Sequence, residues 1–295
     1  MNQAQWAQIA EGKGFIAALD QSGGSTPKAL DLYGVPPADY QDEEAMFAAM
    51  HAMRQRIIMA DAFTRENIIG AILFQRTMDA TIKGVSVPKL LWEERGVVPF
   101  LKIDTGLAER NQDVQLMKPI PDVRSLLTHA ASKGIFGTKE RSVIHEANEA
   151  GIEAVVVQQI TLANIVCAMG LVPIVEPEVN IHAQTKAPAE ALLKDALIRG
   201  LADLEEGRQV MLKLTLPSVA GFYDDLAAHP KVLRIVALSG GYSLQQASAL
   251  LSKNSAMIAS FSRALTEGLK VDMTDQAFAA ALRTNVEAIY SASVT

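Results

Sequence analysis

Eight short apolar segments recur along the chain, and most of them are followed by a stretch with the periodicity of an amphipathic helix. They cover residues 15–20, 68–74, 97–103, 135–142, 172–178, 209–217, 232–238 and 256–261. Alternating strands and helices predict parallel strands joined by crossover connections. Eight such units favour a closed (β/α)8 TIM barrel, of the α/β class, over an open sheet, which usually carries a glycine fingerprint after its first strand. No linker rich in proline or serine divides the chain, so residues 1–295 are predicted to form a single domain.

Helices are predicted between these strands from periodicity and capping residues. Asp42 is expected to cap a long helix that runs to residue 67, and Ser218 a helix that runs to residue 229. Serine, glycine and proline dominate residues 22–36, so a loop is predicted there, with Pro27 starting a turn. Further helices are expected at residues 1–10, 123–132, 154–169, 187–206, 244–251 and 273–291.

A lysine interrupts the sixth apolar segment, which reads QVMLKLTLP. Period two places Met211, Lys213 and Thr215 on one face of this strand and three leucines on the other, so both faces are mostly apolar. Burial of an ammonium group is costly and favours the neutral amine, which is a nucleophile for carbonyl groups. The alternative is a structural ion pair between Lys213 and a carboxylate of a neighbouring strand.

The composition is that of a soluble globular protein, and the net charge of −6 argues against nucleic acid as a partner. A local cluster of lysine and arginine could still bind a small anion. Cys167 is the only cysteine and is predicted to be buried and inert. The N-terminal residues lack a signal-peptide pattern, and no uninterrupted apolar run reaches membrane-spanning length. A cytoplasmic protein without a membrane partner is therefore expected.

Polar residues concentrate where the predicted strands end. In a barrel these ends converge on one mouth, where active sites lie. Lysines held close together lower the pKa of the most buried one, and carboxylates beside them offer proton carriers. The residues concerned are Asp20, Lys102, Asp104, Lys139, Arg141, Glu176, Glu178, Lys213, Ser239, Gly240, Gly241 and Arg263.

The Ser239-Gly240-Gly241 segment after the seventh strand is a candidate phosphate site. Glycines allow backbone N–H groups to approach a ligand, and the next helix begins near Ser243, where its N-terminus favours an anion. Arg263 would add a charge-assisted pair of hydrogen bonds to the same phosphate. The alternative is a plain turn before a helix.

An ordered set of motifs then gives a resemblance that covers nearly the whole chain. The motifs are GKGFIAALDQSGGS, ILFQRTMD, GVVPFLKIDTG, PIVEPE, LKLTLPS, LSGGYS and FSRAL. In this order they resemble the class I (Schiff-base) fructose-bisphosphate aldolases, bacterial type. The resemblance implies a cofactor-free, metal-independent lyase of glycolysis and gluconeogenesis that acts on sugar phosphates.

The resemblance also implies a role for each matching residue. Lys213 would form an imine with the ketose carbonyl, Glu176 with help from Lys139 would drive loss of water, and Asp20 would take the hydroxyl proton during carbon–carbon cleavage. Glu178 would support this network. The phosphate nearest the carbonyl would contact Ser239, Gly240, Gly241 and Arg263. The far phosphate would contact Ser22, Ser25, Lys28, Lys102 and Arg141.

The chain departs from the animal enzymes of this family at its C-terminus, which lacks their final tyrosine. Tyr290 lies near the end and is expected to pack on a helix, which leaves the protonation of the enamine open. The five histidines have no ligand-like spacing, so a metal-dependent aldolase is not favoured.

Two other functions stay open at this stage: a Schiff-base barrel lyase acting on a monophosphate sugar, or a non-catalytic sugar-phosphate-binding barrel. The apolar helices fit packing on the barrel alone or also on a partner subunit, so the oligomeric state stays open as well.

Overall fold

The computed structural model describes residues 2–22 and 24–295, and it contains a ring of eight parallel strands in chain order. The backbone N–H of Ala18 donates to the carbonyl oxygen of Phe261 at 3.2 Å and closes the ring between its first and last members. The predicted (β/α)8 TIM barrel is therefore confirmed, and each predicted apolar segment overlaps one strand. The strands are β1 Phe15–Leu19, β2 Ile68–Leu73, β3 Val98–Lys102, β4 Gly137–Ile144, β5 Val172–Val179, β6 Val210–Thr215, β7 Val232–Leu238 and β8 Met257–Ala259.

Alternate residues of the strands fill the inside of the barrel, as a period of two requires. Burial of each large apolar side chain contributes about 1.5–3 kcal/mol. At the start of β4 the neighbours leave no room for a side chain, because a Cβ on Gly137 would lie 2.8 Å from the ring of Phe100 and 2.1 Å from the Val172 carbonyl oxygen. The interior residues include Ile16, Ile72, Phe100, Ile174, Met211, Val236 and Ile258.

The N-terminal helix α1, Gln3–Glu11, closes the bottom of the barrel. The Gln8 carboxamide donates to the carbonyl oxygens of Ile69 at 2.8 Å and Gly96 at 2.7 Å. Arg234, near the start of β7, donates to the carbonyl oxygen of Ala10 at 2.8 Å. Because Ile9 belongs to the interior cluster, this end is sealed, and the opposite end of the barrel is left for ligands.

The remaining helices pack around the barrel or cover its ends. A two-residue strand at Val114–Gln115 pairs antiparallel with β4, and Thr81–Ile82 pairs with Val85–Ser86. The helices are α2 Thr26–Tyr33, α3 Glu43–Met59, α4 Gln75–Asp79, α5 Val87–Lys89, α6 Val123–Ser132, α7 Glu149–Ala168, α8 Lys186–Ala202, α9 Asp224–Ala227, α10 Leu244–Leu251 and α11 Asp275–Ser293, with a 3-10 turn at Pro37–Asp39 and a π turn at Leu90–Glu94.

Two helix predictions near the N-terminus need correction. The predicted loop at residues 22–36 contains α2, in which Pro27 occupies the first turn, where proline costs no hydrogen bond. The helix capped by Asp42 is confirmed at its start, since the Asp42 carboxylate accepts from the N–H of Ala45 at 2.8 Å. It ends at Met59 and not at residue 67, because Ala60 adopts an extended conformation with ψ of 145°.

The predicted helix after β6 is also wrong. Only α9 is helical in this segment, and Gly221 turns the chain just before it with φ of 71°. Ser218 is not a helix cap: its N–H donates to the Glu190 carboxylate at 3.0 Å, and its hydroxyl accepts from Lys186 at 3.1 Å.

Among the described residues, α7 is the one helix long and apolar enough to cross a membrane by length and composition. Its residues Val155, Ala163 and Val166 are fully buried and belong to the layer between the barrel and the helices. Packing against the barrel therefore accounts for its composition.

Candidate active site

A cavity of about 1310 Å³ opens at the carboxyl ends of the strands. It is lined by all the site residues predicted from the sequence except Gly241. Active sites of TIM barrels lie at this end of the fold. The residues predicted from the sequence therefore lie together at one cavity, with the exception of Gly241.

Lys213 lies on β6 and points into the cavity with 4% of its surface exposed. The period-two assignment is confirmed, since Met211 lies in the barrel interior and Leu212 and Leu214 lie in the outer layer. The Lys213 Nζ is 3.1 Å from Oε1 of Glu176 on the neighbouring strand β5. The ion pair considered as the alternative thus exists, but it borders the cavity and is therefore compatible with chemistry.

A second buried lysine, Lys139 on β4, lies between the carboxylates of Asp20 and Glu176. Its Nζ is 2.7 Å from Oδ2 of Asp20 and 2.7 Å from Oε2 of Glu176. The four side chains form an alternating row of charges from β1 to β6, and each is at most 8% exposed.

The pKa values of this row follow from its alternation of charge. Burial alone would lower the pKa of Lys139, but the carboxylates of Asp20 and Glu176 outweigh it and raise that pKa. Burial would raise the pKa of Asp20 and of Glu176, yet Lys139 and Lys213 hold the pKa of Asp20 well below its ordinary range and lower that of Glu176. Lys139 is therefore a permanent cation, and both carboxylates are ionised near neutral pH.

The cations nearer β3 and β4 are paired as well. Lys102 Nζ lies 2.8 Å from Oδ1 of Asp104 and 3.3 Å from the Ser22 hydroxyl. Arg141 donates through Nε to Glu178; burial would lower the pKa of Arg141, but Glu178 raises it. Glu178 was expected to support the lysine network, and it instead pairs with this arginine.

The segment after β7 has the backbone expected of a ligand-binding turn. Gly240 has φ of 58°, and a Cβ there would lie 2.6 Å from Ile181, so both conformation and space favour glycine. The N-terminus of α10 is already satisfied, because Ser243 and Gln246 form a capping box and the N–H of Leu244 donates to Glu267 at 2.9 Å. Part of this helix N-terminus is therefore already paired within the chain, and its attraction for a phosphate stays a prediction, as does the role of the glycine turn and Arg263.

The cavity differs from the rest of the molecule in the sign of its charge. Its lining contains seven lysine or arginine residues and five carboxylates, whereas the whole chain has a net charge of −6. Within the described residues, three of these cations have no carboxylate within 4.0 Å: Lys28, Lys118 and Arg263. Unpaired cations attract anions most strongly, so this cavity suits a small, strongly anionic molecule.

Sequence reasoning missed an anchor between the loops after β1 and β8. Arg54 on α3 is 2% exposed and donates to the carbonyl oxygen of Gln21 at 2.6 Å and to the Thr77 hydroxyl at 2.7 Å. Gln21 donates in turn to the Ser262 hydroxyl at 2.8 Å, next to Arg263. Burial lowers the pKa of Arg54 to about 10, although Asp20 opposes this. Only its position in a predicted helix was visible in the sequence.

Glu140 lies between Lys139 and Arg141 in sequence but on the outer face of β4. It is fully buried, and neither carboxyl oxygen has a hydrogen-bond partner. Burial raises its pKa to about 8, although the nearby Thr138 hydroxyl opposes this. The group is therefore mainly protonated near pH 7 and serves packing rather than chemistry.

Three other predictions concern residues outside this charged row. Cys167 is buried as predicted, and burial raises the pKa of its thiol to about 11, so it stays protonated. Tyr290 packs against the core and does not line the cavity. Within residues 2–22 and 24–295, no three histidine, cysteine or acidic side chains are grouped so that they could hold a metal ion.

Comparison with known proteins shows which family this sequence is related to. The sequence model of class-I fructose-bisphosphate aldolase, described as glycolytic, matches residues 2–216. Relatives named fructose-bisphosphate aldolase class 1 share 53% identity over 294 residues in Synechocystis sp., with 100% of this chain and 98% of the relative aligned, and 52% over 295 residues in Clostridium acetobutylicum, with both chains fully aligned.

A solved structure of fructose-bisphosphate aldolase from Plasmodium falciparum superposes with a TM-score of 0.81 over 99% of this chain and 93% of that one. At 20% identity it supports the barrel fold alone. The full-length relatives at more than 50% identity carry the assignment. This chain belongs to the class I fructose-bisphosphate aldolase family.

Proposed function

We propose that this protein is a fructose-1,6-bisphosphate aldolase that cleaves its substrate reversibly into dihydroxyacetone phosphate and glyceraldehyde 3-phosphate through an imine on Lys213. The observation that carries the proposal is the buried row of Lys213, Glu176, Lys139 and Asp20 at the cavity of a barrel from this family. Carbon–carbon cleavage beside a carbonyl leaves a carbanion, and a protonated imine is a strong electron sink for it.

Imine formation begins with a proton transfer within the ion pair. The Lys213 ammonium gives a proton to Glu176, whose Oε1 lies 3.1 Å from Nζ, and the free amine attacks the ketose carbonyl carbon. Glu176 then returns the proton to the hydroxyl group of the resulting carbinolamine, which leaves as water. Lys139 remains charged throughout, and it stabilises the ionised form of Glu176 before the first transfer and after the second.

Cleavage of the carbon–carbon bond depends on Asp20, at the other end of the row. Asp20 accepts the proton of the substrate hydroxyl, the bond between the third and fourth carbons breaks, and its electron pair moves to the imine to form an enamine. The aldehyde departs first. Protonation of the enamine and hydrolysis of the imine then release dihydroxyacetone phosphate and regenerate Lys213.

The two phosphates would bind on opposite sides of the cavity. Backbone groups of the glycine turn and the unpaired Arg263 suit the phosphate nearest the carbonyl. Glu178 would hold Arg141 in place. The far phosphate would contact Ser22, Ser25, Lys28, Lys102 and Arg141, and the near one Ser239, Gly240, Gly241 and Arg263.

Borohydride reduction tests the covalent step directly. Dihydroxyacetone phosphate plus borohydride should leave a stable secondary amine on Lys213, located by peptide mapping, with or without EDTA. Lys213→Ala should lose both the adduct and turnover, whereas the control Lys253→Ala, which removes an exposed lysine away from the cavity, should keep them. Full activity of Lys213→Ala would refute the proposal, and ligand binding without an adduct would favour a non-catalytic barrel.

We further propose that residues 1–295 fold as one barrel domain of a cytoplasmic enzyme. Strands from both ends of the chain complete the same ring, which supports the first part, and small sugar phosphates as substrates support the second. Limited proteolysis should yield no stable fragment smaller than the barrel, and fractionation should recover the enzyme with soluble cytoplasmic markers.

A further inference from the structure

We infer that Lys118 is an additional substrate-binding residue, which contacts the phosphate far from the carbonyl and sets the preference for a bisphosphate. The inference rests on the proposed function. Lys118 lies in the loop between β3 and β4, lines the cavity and has no carboxylate partner among the described residues. No sequence motif draws attention to it.

The backbone at this lysine is fixed by contacts on both sides. The N–H of Lys118 donates to the carbonyl oxygen of Gly106 at 2.9 Å, and the Thr105 hydroxyl donates to the carbonyl oxygen of Pro119 at 3.4 Å. The carboxamide of Gln158 on α7 holds the preceding residue, Met117, through both its N–H and its carbonyl oxygen at 2.9 Å each. The loop is therefore already ordered, and no further cost for ordering its backbone arises when Lys118 binds an anion.

The position of the loop in the ring assigns Lys118 to the far phosphate. It is anchored on Gly106, whose N–H donates to Asp104 at 3.3 Å, and Asp104 is paired with Lys102 just after β3. In a ring of eight strands β3 is four places from β7 and three from β8, so the loop after β3 starts across the cavity from the glycine turn and Arg263. Lys102 also reaches Ser22, which belongs to the proposed far site.

The balance of charge on the far side of the cavity supports a phosphate-binding role for Lys118. On the far side, Lys102 is neutralised by Asp104 and Arg141 by Glu178, which leaves Lys28 and Lys118 as the unpaired cations. A phosphate dianion needs about two positive charges for neutralisation, and the pair supplies them. Without Lys118 the far site would meet the dianion with a single unpaired cation.

Substrates that differ only in the far phosphate give the sharpest test. Lys118→Ala should lower kcat/KM for fructose 1,6-bisphosphate by about tenfold, mostly through KM, because one charge-assisted contact is lost. It should change kcat/KM for fructose 1-phosphate by less than about twofold, since that substrate lacks the far phosphate. Lys118→Arg should restore most of the loss, and the matched charge control Lys253→Ala should behave as wild type for both substrates.

Trapping separates this inference from the proposed function. Dihydroxyacetone phosphate lacks the far phosphate, so borohydride should trap it on Lys213 equally well in wild type and Lys118→Ala. Equal losses for both sugar substrates, or no loss for either, would overturn the role of Lys118 while leaving the aldolase assignment standing. Absence of cleavage and trapping in the wild-type enzyme would instead overturn the proposed function, and the role of Lys118 with it.

Discussion

Replacement of Glu140 by glutamine should stabilise the protein at alkaline pH and leave it unchanged at acidic pH. Its carboxyl is fully buried on the outer face of β4, and neither oxygen has a hydrogen-bond partner. An ionised carboxylate there would lose its hydration without gaining a partner. Glutamine has nearly the same shape and no charge, so it keeps the packing and removes the ionisation.

The size of the effect follows from the change in pKa on folding. The pKa of about 8 exceeds the ordinary value of 4.5. At about 1.4 kcal/mol per unit, this difference sets an upper limit of ~5 kcal/mol for the cost of Glu140 at high pH. Local relaxation and water penetration reduce the cost, and we expect a gain of about 2 kcal/mol or more for Glu140→Gln near pH 9.

The sign of the pH dependence is fixed by which state binds the proton. Below about pH 4.5 both states are protonated, and between about pH 4.5 and 8 the unfolded chain ionises while the native state keeps its proton. The contribution of Glu140 to stability therefore decreases as pH rises through this window and is constant above it. The difference between variant and wild type isolates this group from histidines that titrate in the same range.

Urea denaturation at a series of pH values measures the difference. The free energy of unfolding of Glu140→Gln minus that of wild type should be near zero below about pH 4 and should rise to a plateau above about pH 8. Glu287→Gln, at an exposed position of α11, is the matched control and should show no such rise. A difference that stays flat with pH would mean that the native carboxyl is already ionised, and the reasoning would fail.

Three further predictions concern the barrel and its charged row. Lys139→Met should move the acidic limb of kcat/KM to higher pH by about one unit or more, because the carboxylates beside it lose the cation that lowers their pKa; an unshifted profile would exclude that coupling. Gly137→Ala should lower the free energy of unfolding by ~3 kcal/mol or more, measured in urea, since its Cβ would overlap the Val172 carbonyl and the Phe100 ring; wild-type stability would contradict the packing described above. Arg54→Met should cost about 2–3 kcal/mol by leaving the hydrogen-bond acceptors around it unpaired, and it should raise KM more than it lowers kcat; an unchanged midpoint and KM would rule out its role as an anchor.

The barrel was predictable because its strands are buried on both faces. Such strands read as short apolar runs in the sequence, and β7 has the predicted bounds, Val232–Leu238. Helix α6 likewise has the predicted bounds, since its single apolar face gives a clear period. The candidate site followed from the fold, because polar residues at the ends of parallel strands share one mouth.

The parts that sequence reasoning missed depend on distant contacts. Helix α2 buries mainly Thr26, Leu30 and Tyr33, a pattern too short to outweigh the serines and glycines before it. The position of Lys118 depends on Gln158, which lies forty residues further along the chain, so no local pattern could indicate it. The pairing of Arg141 with Glu178 likewise depends on the register between β4 and β5.

The hydrogen bond between Ala18 and Phe261 has a consequence for how the enzyme is made. During translation β1 is made early, and one of its edges has no partner strand until the ribosome has produced nearly the whole protein. Asp20 follows that strand directly, so the proposed catalytic row cannot be complete before the final barrel segment is released. Such long-range closure slows folding, and it predicts that truncated translation products cannot fold into active enzyme.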